Sequence, residues 1–371
     1  MRIGVLTTSY PREPGDPAGG FVAGLARWLA GRGHAVEVIA AGPGMTRDGD
    51  IPVARVRAGA GLFYDEGAPE RLERSPAARL LAPVFSAALF AAAAPRARRW
   101  DRVLAHWLLP SGVVGARLRP TLAVAHSADV HLAARPGVAD LVAAALGRAR
   151  TAFVAEHLRA RLLAAIRSPA RRRRLAERSF VCPMGVDTAA LARARAGDRA
   201  AAKRRLGLAA DARVVAYLGR LVPIKGLHVL ASAVPPDVEL VIAGAGPAPP
   251  PGGRLLGELR GAARDDLFCA ADVLVLPSIE RGGRTEGAPT VLAEALAAGV
   301  PVVASDVPGA RAVAGDAARY APPGDVGALR DAILATLRDP GDRPARGRER
   351  AATLSWDQVG ERLCNVLFYT W

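Results

Sequence analysis

Glu286 and Glu294 lie eight residues apart within SIERGGRTEGAPTVLAEALAAGVPVVASDVPG, the stretch from Ser278 to Gly309. Glycines and charges crowd its first third, and helix formers fill its middle. A carboxylate on an apolar helix is costly to bury without partners, and the hydroxyls of a sugar or a ribose are natural ones. A solvated amphipathic face is the plain alternative for Glu294, but it explains neither Glu286 nor the glycines. Upstream, GRLVPIKG holds Arg220 and Lys225 on either side of Pro223. A guanidinium fork and a compact ammonium on one loop can converge on a diphosphate, where two solvated cations are the alternative. Lys225 stands out further because the chain uses lysine only twice. Nearer the N-terminus, HSAD places His126 three residues before Asp129, and PGDPAGGF places Gly19 and Gly20 ahead of an apolar run. Paired glycines let backbone approach a phosphate at a helix start; a turn needs them equally.

These residues fall at the ends of predictable elements. Apolar runs bounded by turn residues predict buried strands at Arg2–Thr8, Ala35–Ala40, Ile51–Val56, Val103–Ala105, Leu122–Ala125, Thr151–Ala155, Val214–Leu218, Glu239–Ala243, Leu274–Pro277, Val300–Ala304 and Ala318–Tyr320. Helical patterns predict Phe21–Ala30, a helix from Leu72 to Ala94 broken near Pro76 and Pro83, one helix within 188–210, Leu227–Ala233, Thr290–Ala298 and Val326–Leu337. Pro289 suits a helix start and Gly299 a helix end. Strands alternating with helices imply parallel α/β sheets, in which polar residues just past strand carboxyl ends mark ligand sites.

The chain has 371 residues, 51% of them hydrophobic, enough for two domains. Its three cysteines are scattered and form no metal or redox motif, which fits a reducing cytoplasm. MRIGVLTTSY reads as a strand rather than a signal peptide, and no uncharged apolar stretch of membrane-spanning length is expected. The net charge of +15 is uneven: residues 1–187 hold 27 Arg and no Lys against 15 acids, while 188–371 hold 23 basic residues against 20 acids. Such a basic half suits an anionic lipid surface or a plain solvated face. Nucleic acid is not expected, since no nucleic-acid motif or aromatic platform accompanies the charge. Arg71, Arg74, Arg79, Arg96, Arg98 and Arg99 crowd a single region.

The Glu286-x7-Glu294 stretch with its Gly-Pro context resembles the signature of the retaining GT-B glycosyltransferases, family 4 in particular. GRLVPIKG resembles the family's G-R-L-x-x-x-K-G, and GAGP its G-x-G-P. HSAD resembles H-G-x-D with Ser127 for Gly, and CPMGVD resembles P-N-G-V-D with Met184 for Asn. The resemblance implies two Rossmann-like doubly wound parallel-sheet domains facing a cleft. It places an acceptor-binding domain at 1–187 plus a returning helix at 355–371, and a donor-binding domain at 188–354. It implies transfer of a hexose-type sugar from a nucleotide-diphosphate donor to an acceptor hydroxyl with retention, without metal or other cofactor, the leaving diphosphate taking the acceptor proton. Glu286, His126, Arg220 and Lys225 would then be catalytic. Gly19, Gly20, Arg220, Lys225, Glu286, Gly287, Ala288, Pro289 and Glu294 would hold the donor, with Glu286 on the sugar and Glu294 on the ribose. The acceptor would be a glycan, a glycolipid or a small molecule, and the setting cytoplasmic or peripheral to the inner membrane face. Three other readings share the fold: a natural-product glycosyltransferase, a sugar-nucleotide epimerase or phosphorylase, and a silent binding protein. Between Pro247 and Leu255, PAPPPGGRL stands where the family carries a longer helix and another strand, and Gly257–Ala271 is expected to keep the following strand, loop and helix in shortened form.

Overall fold

The structure, a computed structural model, describes residues 1–63, 68, 71, 72, 75 and 77–369. The chain forms two compact units, Met1–Gly185 with Trp356–Trp371, and Val186–Ser355.

The first unit is built on an eight-stranded sheet. Its strands are β1 (Arg2–Thr7), β2 (Ala35–Ala41), β3 (Arg47–Asp48), β4 (Ile51–Val56), β5 (Arg102–His106), β6 (Thr121–Ala125), β7 (Arg150–Phe153) and β8 (Ser179–Val181). They lie in the order β3-β4-β2-β1-β5-β6-β7-β8, all pairs parallel except β3 with β4. The strands read as near-continuous apolar runs because helices cover both faces of a parallel sheet. The C-terminal helix Trp356–Tyr369 packs on the helix Gly20–Gly31, where the Trp28 indole and the Arg32 guanidinium both donate to Asp357, at 2.9 and 2.8 Å.

The second unit holds β9 (Val214–Leu218), β10 (Glu239–Ala243), β11 (Arg254–Gly257), β12 (Val273–Leu276), β13 (Val302–Ser305) and β14 (Ala318–Ala321). Their order, β11-β10-β9-β12-β13-β14, is the doubly wound arrangement in which strand order reverses between β9 and β12. Alternate residues feed two cores. Val214, Ala216, Leu274 and Leu276 face the helices Gly261–Ala270 and Thr290–Ala298, and Val215, Tyr217, Val273 and Val275 face Leu227–Ala233 and Val326–Arg338.

Three expectations need correction. The helix Ala78–Ala97 runs unbroken through Pro83; a proline in the second turn forfeits one bond to a first-turn carbonyl, and the flanking apolar residues hold the helix on the sheet. Pro76, like Arg74 and the side chain of Arg79, lies outside the described residues. The window Leu80–Ala97 is long and apolar enough to cross a membrane by length and composition alone. Yet Phe85, Leu89, Ala93 and Ala97 are buried in the first core, so the helix lies along the sheet. Residues 188–210 form two helices, Thr188–Arg195 and Arg199–Arg205, because Asp198 caps the second by accepting from Ala201 N at 3.0 Å. Finally, β11 begins at Arg254, inside the segment expected to lack a strand, and follows β10 with no intervening helix.

Candidate active site

In the second unit the polar residues gather at the switch between β9 and β12. β9 delivers Gly219 and Arg220, and β12 delivers Pro277 and Ser278. The Lys225 ammonium donates to Glu286 Oε1 at 2.6 Å, and Ser278 Oγ donates to the same oxygen at 2.6 Å. Both charged side chains are nearly covered, 14% and 11% exposed. Burial alone would raise the Glu286 carboxyl, but the Lys225 and Ser278 contacts and the charge of Arg220 outweigh it and hold it below the usual carboxylate range. Glu286 is therefore an ionised acceptor. Tyr217, buried in β9, donates its hydroxyl to the Arg220 carbonyl at 2.8 Å and so shapes the loop that carries Arg220. Burial and the nearby Glu286 charge push the Tyr217 phenol far above its ordinary value, so it stays protonated.

Two glycines allow this convergence. Gly226 has φ +64°, and a Cβ there would overlap the Pro277 carbonyl oxygen. A Cβ on Gly309 would overlap the carbonyls of Glu286 and Gly287. Each permits a close approach that locks the Lys225 or the Glu286 loop in place.

Gly287, Ala288 and Pro289 lead into the helix Thr290–Ala298, whose first N–H groups lack intrahelical partners. Glu294 lies about one turn into that helix, where its Oε2 receives Arg264 at 2.6 Å. Arg264 comes from Gly261–Ala270 and lies over the Phe268 ring at 5.2 Å. Sequence reasoning missed Arg264 and Ser278, since neither carries a motif signal.

In the first unit, β1 and β5 flank the corresponding switch point. The loop after β1 folds around Asp16, which accepts from Arg12 N at 2.9 Å, Arg12 Nε at 3.1 Å and Ala18 N at 3.0 Å. Gly19 caps the helix Gly20–Gly31 at φ +69°, pressed against the Ser9 backbone, whereas the space above Gly20 is open. The next residue, Phe21, lies 4.8 Å from His126, ring centre to ring centre. Gly19, Gly20 and His126 are thus brought together. Asp129 organises the turn: its carboxylate accepts from Leu108 N at 2.7 Å, His126 N at 3.1 Å and Ser127 N at 3.0 Å.

His106, which the sequence reading passes over, ends β5 and reaches His126. The two imidazoles stack at 18°, with His106 Nδ1 3.1 Å from His126 Nε2. One ring must donate and the other accept. Trp107, at φ +68°, packs on the same imidazole at 4.9 Å. Burial pulls the His106 imidazolium down to about 3 and holds His126 well below its ordinary value, with the neighbouring His106 adding to the effect. Both rings are neutral at pH 7. The unfolded chain protonates them near pH 6.5 and the folded unit does not. Stability should therefore be level above that pH and fall as pH drops below it, with a limiting slope of about 1.4 kcal/mol per pH unit for each ring. Tryptophan-monitored melting between pH 7 and 5 should show a slope that His106→Gln roughly halves; equal slopes would contradict the pairing.

Among the described residues no group of three or more His, Cys, Asp or Glu side chains is gathered as a metal site requires.

Comparison with known proteins places the chain. A family model described as "Glycosyl transferases group 1" matches residues 212–339. D-inositol 3-phosphate glycosyltransferase of Mycolicibacterium vanbaalenii is 31% identical, covering 98% of this chain and 88% of that protein. GDP-mannose-dependent monoacylated alpha-(1-6)-phosphatidylinositol monomannoside mannosyltransferase of Corynebacterium glutamicum is 34% identical over 50% of this chain and 55% of that protein. Phosphatidyl-myo-inositol mannosyltransferase of Mycolicibacterium smegmatis is 35% identical over 50% of each. The chain spans about half the length of these last two relatives. Among solved structures, sucrose-phosphate synthase of Thermosynechococcus elongatus superposes with TM-score 0.73 at 23% identity, covering 99% of this chain and 98% of that one. Anabaena HepE in complex with UDP and glucose gives TM-score 0.72 at 18% identity over the full length of both. The chain belongs to the group 1 glycosyltransferases and has the GT-B fold.

Proposed function

We propose that the protein transfers a hexose, with anomeric configuration retained, from a nucleotide-diphosphate sugar to a hydroxyl of a glycolipid or other cell-envelope glycan. The observation that carries this reading is the buried Lys225–Glu286–Ser278 cluster at the switch point, with Arg220 beside it. An ionised Glu286 can only accept hydrogen bonds, which suits sugar hydroxyls. The Lys225 ammonium spends one of its three N–H groups on Glu286 among the described residues, leaving the others for a phosphate. With Arg220 it would stabilise charge growing on the diphosphate as the glycosidic bond breaks, the kind of preorganised electrostatics worth about 3–4 kcal/mol per donor. Gly287, Ala288 and Pro289 would present the helix start to the donor, and Glu294 would take the ribose hydroxyls. Gly19 and Gly20 would face the diphosphate, and His126 would contribute the acceptor-side face.

The names of the relatives favour GDP-mannose or a UDP-hexose as donor and an inositol-bearing lipid or inositol phosphate as acceptor. The Arg-rich first unit supports an anionic membrane surface as partner and a peripheral position at the inner membrane face. The test is incubation with sugar-labelled GDP-mannose and UDP-glucose, each with phosphatidylinositol or inositol phosphate. Label should move to an acceptor from one donor, giving an α-linked product. Donor turnover without acceptor would instead indicate an epimerase, and turnover dependent on free phosphate a phosphorylase.

A further inference from the structure

The helix Ala78–Ala97 buries one face and leaves the other open. Opposite the buried Phe85, Leu89 and Ala93, Leu80 is 70% exposed, Val84 49% and Phe90 42%. Pro83, Ala87 and Ala91 are exposed between them. Their spacing of three and four puts them on one stripe, and the sequence from Leu80 to Pro95 carries no charge. A contiguous apolar stripe of this size on a charged protein marks an interaction face.

What adjoins the stripe identifies its partner. At its C-terminal end the exposed Arg98 and Arg99 line an open cavity of about 800 Å³ together with Arg2, Arg102 and Arg119. Asp101 is the single acidic residue of that lining, and its carboxylate accepts Arg2 N at 2.8 Å. Among the described residues no ion pair engages Arg2, Arg98 or Arg99. We propose that this face docks on an anionic lipid bilayer, with the Leu80–Phe90 stripe at the acyl boundary and the arginines at the headgroup phosphates. An interfacial helix needs this combination of a buried apolar face and flanking cations. A second copy of the chain fits less well, since it would bring together two copies of the Arg-rich 1–187 segment, each with 27 arginines against 15 acids. A membrane-spanning role would require Phe85 and Leu89 to leave the core. The inference deepens the membrane-surface partner of the proposed function by naming the face, and rests on that reading for the partner's class.

Co-sedimentation of the full chain with phosphatidylcholine vesicles, with and without phosphatidylglycerol, tests it. Wild type should sediment with the anionic vesicles and not with phosphatidylcholine alone. The triple variant Leu80→Ser, Val84→Ser, Phe90→Ser should bind at least about tenfold more weakly, and Arg98→Ala with Arg99→Ala should weaken the dependence on anionic lipid. If the triple variant does not fold, Phe90→Ser alone should still show a measurable loss. Undiminished sedimentation of the variants, or a wild-type dimer that the triple variant dissolves, would overturn the proposal. Sedimentation requires no donor. A protein that fails to bind vesicles but responds to nucleotide sinks only the docking face, and the reverse result sinks only the donor site.

Discussion

Lys225→Met should lower the rate of sugar transfer by about 100- to 1,000-fold and destabilise the second unit by roughly 3–5 kcal/mol. The two effects have different origins. In catalysis the ammonium is a fixed charge aimed where negative charge develops, and methionine keeps its bulk without it. In folding, removing Lys225 takes from Glu286, whose carboxylate is nearly covered, the ammonium that donates to it at 2.6 Å. Removing one partner of a buried ion pair costs far more than the pair contributes. Pairing Lys225→Met with Glu286→Gln should therefore recover most of the stability, since neither charge is left alone, while transfer stays lost. Hydrogen exchange in β9 and β12 reads the loss of stability and initial-rate transfer the loss of catalysis. A single variant as stable as wild type, or a double variant that regains transfer, would contradict the assignment.

Glu294→Ala should weaken binding of the nucleoside diphosphate tenfold to a hundredfold, which corresponds to losing hydrogen bonds to a charged group worth about 1.5–3 kcal/mol. The pair with Arg264 complicates the reading in a measurable way. Its side chains are 29% and 20% exposed, so breaking it should cost only about 1 kcal/mol of stability, because the freed guanidinium reaches water. Arg264→Ala should then leave the protein folded while loosening Glu294. Titration calorimetry with the diphosphate separates the residues: a large loss for Glu294→Ala and a smaller one for Arg264→Ala. Unchanged affinity in a folded Glu294→Ala would remove Glu294 from the donor site.

Much of the scaffold was legible because its signals are local. Ile51–Val56, Val214–Leu218, Glu239–Ala243, Leu227–Ala233 and Thr290–Ala298 form over the residues expected. Each is an apolar run closed off by glycine, proline or charge. β11 was not legible, since RLLG is short, largely exposed and bounded by glycine on the edge of the sheet. The unbroken helix through Pro83 is a tertiary effect, the packing of Phe85 and Leu89 outweighing a local breaker. In the site, Lys225 and Glu286 were legible as motif residues, but their contact was not, because it depends on β9 and β12 being neighbours in the sheet. His106 was invisible for the same reason. A histidine ending an apolar strand looks structural until the β5–β6 register places it against His126. Arg264 likewise gains meaning only when two helices pack.

Thermal melting in the presence of UDP, GDP, ADP and TDP, each with and without EDTA, tests the donor assignment most directly. At about 100 times its dissociation constant a ligand adds roughly 2.7 kcal/mol, a shift of several degrees for units of this size. One nucleotide should stabilise clearly, with or without EDTA, and the shift should shrink in Glu294→Ala. No shift with any of the four would contradict a nucleotide-sugar donor at Lys225, Glu286 and Glu294.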